Sequence, residues 1–96
     1  MLKPSGAIVI DKGALKALKY GNSLLPAGVT EIEGKFERGD AIIVKTQNGR
    51  EIGRGISAYS ANDARRIIGN KTSEIELILG YRGRDEMIHR DDLALN

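Results

Sequence analysis

An Asn48-Gly49 pair between two runs rich in β-branched residues restricts the fold of this chain more than any other feature. Asn-Gly is favoured in tight hairpin turns, because both residues tolerate the backbone angles that such turns need. The flanking runs, residues 41–46 and 51–57, therefore predict an antiparallel β-hairpin.

Further short elements are predicted on both sides of this hairpin. Apolar runs indicate strands at residues 6–10, 29–33 and 87–89, the last extending towards residue 95. Helical spacing of apolar residues predicts helices at 12–20, 61–68 and 74–79. Four or five strands with about three short helices indicate a mainly β fold, a small twisted sheet resembling a barrel.

Capping residues mark where the predicted helices begin. Asp11 can cap the first helix, and Ser60 precedes an acidic residue by three positions, as in a capping box. Ser73 and Glu76 form the same pattern before the third helix. Residues 75–79 also alternate as a strand would, and this cap together with Gly80 favours the helix.

Length and composition narrow the class of protein. A chain of 96 residues has room for one domain, with a thin core that favours a surface site over a deep pocket. Its 41% hydrophobic and 29% charged residues exclude a disordered chain, and no apolar run approaches a membrane span. With no cysteine, disulfides and thiolate chemistry are excluded, and a reducing cytoplasmic location is expected.

Basic residues are concentrated near the start of the chain. The net charge is only +2, yet Lys12, Lys16 and Lys19 are spaced so that they share one face of the first helix. That face is either simply solvated or a surface that contacts phosphates, with glycines nearby that would let backbone amides approach a ligand. The chain has no tryptophan and few aromatic residues, so RNA binding would depend on shape and phosphate contacts.

Motifs for catalysis are incomplete. Residues 89–96 match the His-Arg-Asp catalytic-loop pattern of protein kinases, but no glycine-rich phosphate loop or Asp-Phe-Gly segment accompanies it. His89 is the only histidine and no serine lies in a nucleophile elbow. We therefore predict no catalytic residue and no metal site, with His89-Arg90 in a strand before an acidic turn.

Several segments resemble a known family. Residues 11–29, 34–44, 49–69, 73–81 and 88–93 are similar to the PUA domain at the C-terminus of glutamate 5-kinases. The strand and helix that lead to Gly28-Val29 are shared with PUA domains of RNA-modifying enzymes, whereas SLLPAGV, RGIS-Y-S and LGY with HRDDL are associated with the kinases. The resemblance implies a β pseudobarrel with a mixed sheet over residues 6–96, after a linker at 1–5.

The resemblance also implies a surface and a parent protein. Several PUA domains bind structured RNA through the first helix, the following loop and the next strand, which here correspond to Lys12, Gly13, Lys16, Lys19, Gly21, Asn22, Ser23 and Gly28. The parent would use ATP and magnesium in an N-terminal amino-acid-kinase domain to phosphorylate the glutamate side chain, the first step of proline synthesis. This piece alone would be non-catalytic and monomeric, without a membrane partner, and its parent a homo-oligomer.

Three interpretations of the piece remain open: an RNA-binding module, a regulatory domain that docks on the kinase domain, or a structural appendage. An RNA-binding PUA module of an RNA-modification protein is the alternative parentage.

Overall fold

Strand β1 (Gly6–Ile10) lies inside the sheet, and its last four residues are all buried. It pairs antiparallel with β2 (Val29–Gly34) and parallel with β3 (Ala41–Thr46). Strands β4 (Glu51–Ile56) and β5 (Leu93–Leu95) extend the sheet, which has the order β2-β1-β3-β4-β5. The structure, a computed structural model, describes residues 3–96, and its small mixed sheet confirms the predicted mainly β class.

The predicted hairpin is formed by β3 and β4, whose antiparallel pairing runs from Ala41 and Ile56 to Lys45 and Glu51, with a bulge after Val44. At the turn, the Gly49 amide donates to the Thr46 carbonyl at 2.9 Å. Gly49 has a φ of 88°, whereas no non-glycine residue among 3–96 has a positive φ. The turn therefore needs left-handed backbone at the glycine but not at the asparagine.

Residues 3–96 form three short α-helices: α1 (Lys12–Lys19), α2 (Ala61–Ile67) and α3 (Ile75–Leu79). Single 3₁₀ turns lie at Pro26–Gly28, Thr72–Glu74 and Arg90–Asp92. The first of these turns lies between α1 and β2 and begins at Pro26, whose fixed φ suits the first position of a turn.

Two of the predicted caps are present. The Asp11 carboxylate accepts a hydrogen bond from the Ala14 amide at 2.7 Å, and the Ser60 hydroxyl accepts one from Asp63 at 3.2 Å. Each satisfies an amide that the first helical turn leaves without a partner.

The core is one cluster between the sheet and the helices. Its fully or almost fully buried members are aliphatic side chains from β1 and β3, the inner faces of α1 and α2, and the segments around residues 24 and 88. They include Ile8, Ile10, Leu18, Leu24, Ile42, Val44, Ile67, Met87 and Ile88.

The third helix is confirmed, but its predicted cap is wrong. Ile75 and Leu79 are buried one turn apart, while Leu77 is 88% exposed, which is the pattern of a helix and not of a strand. Ser73 lies within the preceding 3₁₀ turn, and no side chain in the described part of the chain caps α3. Because that turn places Glu74 immediately before the helix, the Ser73 hydroxyl is one residue too early for the N-cap.

The predicted strand at residues 87–89 is also wrong. Met87 and Ile88 are fully buried, but they form only an isolated bridge, in which the Leu24 amide donates to the Ile88 carbonyl at 2.9 Å. The bridge cannot extend because its partner segment enters the 3₁₀ turn at Pro26. His89 is likewise not in a strand; its Nδ1 accepts from the Asp91 amide and caps the turn at Arg90–Asp92. The last strand, β5, comes after that turn.

The domain boundary between residues 5 and 6 stays a prediction. Met1 and Leu2 of the predicted linker lie outside the described residues. Ser5, at its other end, donates its amide to the Ala41 carbonyl at 2.9 Å.

Candidate nucleic-acid interface

Helix α1 presents its lysines to solvent. Lys12, Lys16 and Lys19 are all exposed, whereas Leu18 on the opposite side is 2% exposed and belongs to the core. The spacing of four and three residues therefore produces one basic face, as the sequence indicated.

The lysines of this face form no ion pair with any carboxylate among residues 3–96. Within residues 3–96, the ion pairs join Lys45 to Glu33, Arg54 to Glu51 and, when the histidine is protonated, His89 to Asp91. None of them involves α1. Lys12 also occupies the first position of the helix, where the helix dipole disfavours a positive charge. Helix stability does not explain a lysine there.

The loop after α1 is held by backbone hydrogen bonds. Gly21 has a φ of 84°, and its amide donates to the Leu18 carbonyl at 3.0 Å. The Asn22 amide donates to the Ala17 carbonyl at 3.1 Å. Both amides are therefore engaged in ending the helix, and Asn22 would offer a ligand its exposed side chain.

Gly28 differs from the exposed residues among the candidate RNA-binding positions. It is half-buried, and a Cβ atom at this position would come within 2.5 Å of the Ala14 Cβ. Its carbonyl accepts the Asp11 amide at 3.0 Å. Gly28 thus allows α1 to pack closely on the chain that leads into β2, and Gly13 stays exposed near the start of the helix.

Two arginines that sequence reasoning missed extend the basic face. The Ser23 hydroxyl accepts a hydrogen bond from the Arg90 amide at 2.8 Å, which brings exposed Arg90 beside the loop. At the other end, Arg50 and Lys12 line one cleft of about 280 Å³ between α1 and the β3-β4 turn. Because both arginines are distant from α1 in sequence, no local pattern could have placed them there. We call Lys12, Lys16, Lys19, Arg50 and Arg90 the basic surface.

A second cleft, of about 520 Å³, lies between the end of β4 and the segment after α3. Its lining includes Ser57, Tyr59, Ser60, Tyr81 and Asp92. These residues come from the RGIS-Y-S, LGY and HRDDL segments, which are far apart in the chain. Three motifs that the sequence analysis associated with one branch of the family therefore meet at one place, which we call the motif cleft.

Two tyrosines form the wall of the motif cleft. The Tyr81 hydroxyl donates to the Asp63 carboxylate at 2.5 Å, and buried Tyr59 donates to the Arg84 carbonyl. Loss of hydration, the hydrogen bond to Asp63 and the charge of that carboxylate raise the pKa of Tyr81 to about 12. Burial, followed by the charges of Asp85 and Glu86, also raises the pKa of Tyr59.

In the part of the chain that the structure describes, no three His, Cys, Asp or Glu residues are grouped so that they could hold a metal ion. No helix within residues 3–96 is long and apolar enough to cross a membrane.

Comparison with known proteins gives closely related sequences. The chain is 60% identical over 94 residues to the glutamate 5-kinase of Paramagnetospirillum magneticum, covering 98% of this chain and 25% of the kinase. It is 58% identical to the glutamate 5-kinase of Brucella anthropi, again covering 98% of this chain and 25% of the kinase. The chain therefore spans about a quarter of the length of these curated relatives.

Solved structures share the fold. A PUA domain from Aeropyrum pernix matches 90% of this chain with a TM-score of 0.63 and 26% identity, over 43% of its own chain. The archaeal box H/ACA sRNP Nop10-Cbf5 complex matches 95% of this chain with a TM-score of 0.55, over 23% of the matched chain, and its 16% identity supports the fold alone. A family model for the PUA domain matches residues 6–79. The chain belongs to the PUA domain family.

Proposed function

We propose that this chain is the PUA domain of a glutamate 5-kinase and that its basic surface binds the phosphates of structured RNA. The observation that carries the RNA proposal is the group of three exposed lysines on α1 without a carboxylate partner among residues 3–96. Arg50 and Arg90 enlarge this group to five cations from three separate segments.

Phosphate binding suits such a surface better than base recognition. Flexible ammonium groups contact phosphate oxygens as point charges, and these contacts give affinity with little sequence information. The helix fixes the spacing of the three lysines, so the shape of the RNA backbone would decide which molecules fit. One fold neighbour is an H/ACA RNP bound to a substrate RNA, which supports RNA as the ligand class for this fold.

The proposal that the parent protein is a glutamate 5-kinase depends on sequence similarity. With 60% identity to a glutamate 5-kinase, a kinase parent is favoured over an RNA-modification protein. ATP, magnesium and the phosphorylation of glutamate would belong to the remaining part of the parent, in the cytoplasm, and any oligomer would be formed by that parent.

Salt dependence tests the RNA proposal. At the duplex value of about −0.9 per phosphate contact, the logarithm of the association constant should fall with the logarithm of salt concentration with a slope of about −2.7 for three contacts and about −4.5 for five. Fluorescence anisotropy with an RNA hairpin over a salt series measures this slope. Binding that is absent, or that does not respond to salt, would contradict phosphate recognition.

The motif cleft supports a second function, contact with the amino-acid-kinase domain of the parent. Its motifs are those associated with kinase PUA domains, and it is lined by residues distinct from the basic surface. Arg38 and Arg84 are its exposed cations and would pair with carboxylates of the kinase domain.

Replacing both arginines with alanine in the full-length parent tests this second function. We expect a change in magnesium demand or in proline inhibition of glutamate phosphorylation that matches deletion of the whole PUA domain. The matched control exchanges Lys16 and Lys19 for alanine and should leave these properties unchanged. If both double variants behave as the wild type while the deletion does not, the motif cleft is not the contact.

A further inference from the structure

Tyr20 is an aromatic side chain that the core does not use. It is 77% exposed at the C-terminal end of α1, although a large ring in solvent contributes nothing to the packing of the fold. The other aromatic residues are engaged elsewhere. Phe36 and Tyr59 are buried, and Tyr81 donates to Asp63.

Tyr20 belongs to the lysine face of the helix. Its amide donates to the carbonyls of Lys16 and Ala17 at 3.3 and 3.1 Å, and its φ of −89° and ψ of 6° continue the last turn. The ring is therefore four residues after Lys16, and side chains at this spacing are neighbours on a helix surface. Within residues 3–96 its hydroxyl has no hydrogen-bond partner, so both the ring and the hydroxyl are free for a ligand.

An exposed ring beside phosphate-binding cations fits the face of a nucleobase. Bases in an A-form duplex stack on each other, and only unpaired bases can stack on a protein side chain. We propose that Tyr20 stacks on an unpaired base of the RNA whose phosphates the lysines of α1 contact, so that the ligand has a single-stranded segment next to its stem. This inference rests on the proposed RNA function. It would add one stacking contact to the shape and phosphate contacts expected from the few aromatic residues.

Two RNA probes separate stacking from phosphate binding: a hairpin with a blunt end, whose two strands are joined by a linker without bases, and the same hairpin with a single-stranded extension of about four nucleotides. Fluorescence anisotropy at one salt concentration gives the affinity for each. We expect the wild type to bind the extended hairpin more tightly. Tyr20→Ala should weaken this binding by about 5- to 150-fold, the range for losing one base–aromatic stack. It should not change affinity for the blunt hairpin, and the salt slope should stay as in the wild type.

Two control variants complete the test. Tyr20→Phe keeps the ring and should bind the extended hairpin within about twofold of the wild type, since stacking does not need the hydroxyl. Leu77→Ala removes an equally exposed apolar side chain from α3 and should have no effect. Because Tyr20 is outside the core, the urea midpoint of each variant should match that of the wild type.

The possible results distinguish this inference from the proposal beneath it. If Tyr20→Ala binds both probes like the wild type, or weakens both equally, the stacking inference is wrong and phosphate binding stands. An effect of Leu77→Ala as large as that of Tyr20→Ala would also overturn it. If the wild type binds neither probe, the RNA function itself is wrong.

Discussion

At the scale of single residues, Gly28 shows how closely α1 packs on the rest of the fold. A Cβ atom there would lie 2.5 Å from the Ala14 Cβ, which has no rotatable bond through which to move away. We expect Gly28→Ala to lower the free energy of unfolding by about 1–3 kcal/mol, the usual cost of overpacking. Urea denaturation followed by circular dichroism measures the change.

Gly13→Ala is the matched control for Gly28→Ala. This glycine is in α1 itself, and the nearest atom to an added Cβ is the Asp11 carboxylate oxygen at 3.4 Å, an ordinary contact. Alanine should raise the free energy of unfolding by up to about 1 kcal/mol, since it favours the helix. Equal effects of the two variants would show that α1 does not approach Gly28 as described.

Tyr81 gives a residue-scale prediction for pH. Its pKa is raised from 10.0 to about 12 in the folded chain, so the folded state holds this proton more tightly than the unfolded chain. Its contribution to stability is therefore fully present below pH 10 and is lost as the pH rises towards 12. Urea unfolding of the wild type and Tyr81→Phe should show an advantage for the wild type at pH 9 that shrinks at pH 11.5. A pH-independent difference would contradict the raised pKa.

At the scale of elements, the two serines of the predicted capping boxes share a sequence pattern, but only one of them caps a helix. The Ser60 hydroxyl accepts the Asp63 amide, whereas Ser73 lies one residue before the N-cap position of α3 and caps nothing. Ser60→Ala should cost about 1 kcal/mol of unfolding free energy. Ser73→Ala should change it by less than about 0.5 kcal/mol, as for an ordinary surface substitution. Equal losses in chemical denaturation would mean that the pattern at Ser73 does form a cap.

The elements that could be predicted are those with local signals. The β3-β4 hairpin follows from Asn48-Gly49, and α1 follows from Asp11, its apolar spacing and Gly21. Residues 87–89 look like a strand because Met87 and Ile88 are apolar, but their backbone forms only an isolated bridge with a distant residue, Leu24. Whether such a bridge extends into a strand depends on where the segment around Leu24 turns. No local pattern near residue 87 carries that information.

At the scale of the whole molecule, the candidate site is only partly visible in the sequence. The lysine face follows from helical spacing, because all three lysines are on one element. Arg50 comes next to this face because the β3-β4 turn brings it to the cleft that Lys12 lines. Arg90 does so because its amide donates to the Ser23 hydroxyl. The family resemblance implied Gly28 as a site residue, yet a Cβ atom there would meet Ala14 of α1. Long-range packing therefore decides the extent of the surface.

In the proposed function, the position of the lysines on α1, and not the total charge of the chain, provides RNA affinity. Lys16→Glu with Lys19→Glu reverses two charges on the basic surface. Lys35→Glu with Lys71→Glu changes the net charge equally at exposed positions outside it. We measure the affinity of both double variants for the same RNA hairpin at one salt concentration. We expect the first variant to lose binding and the second to retain most of it; equal losses, or unchanged binding by the first variant, would mean that the lysines of α1 do not hold the RNA.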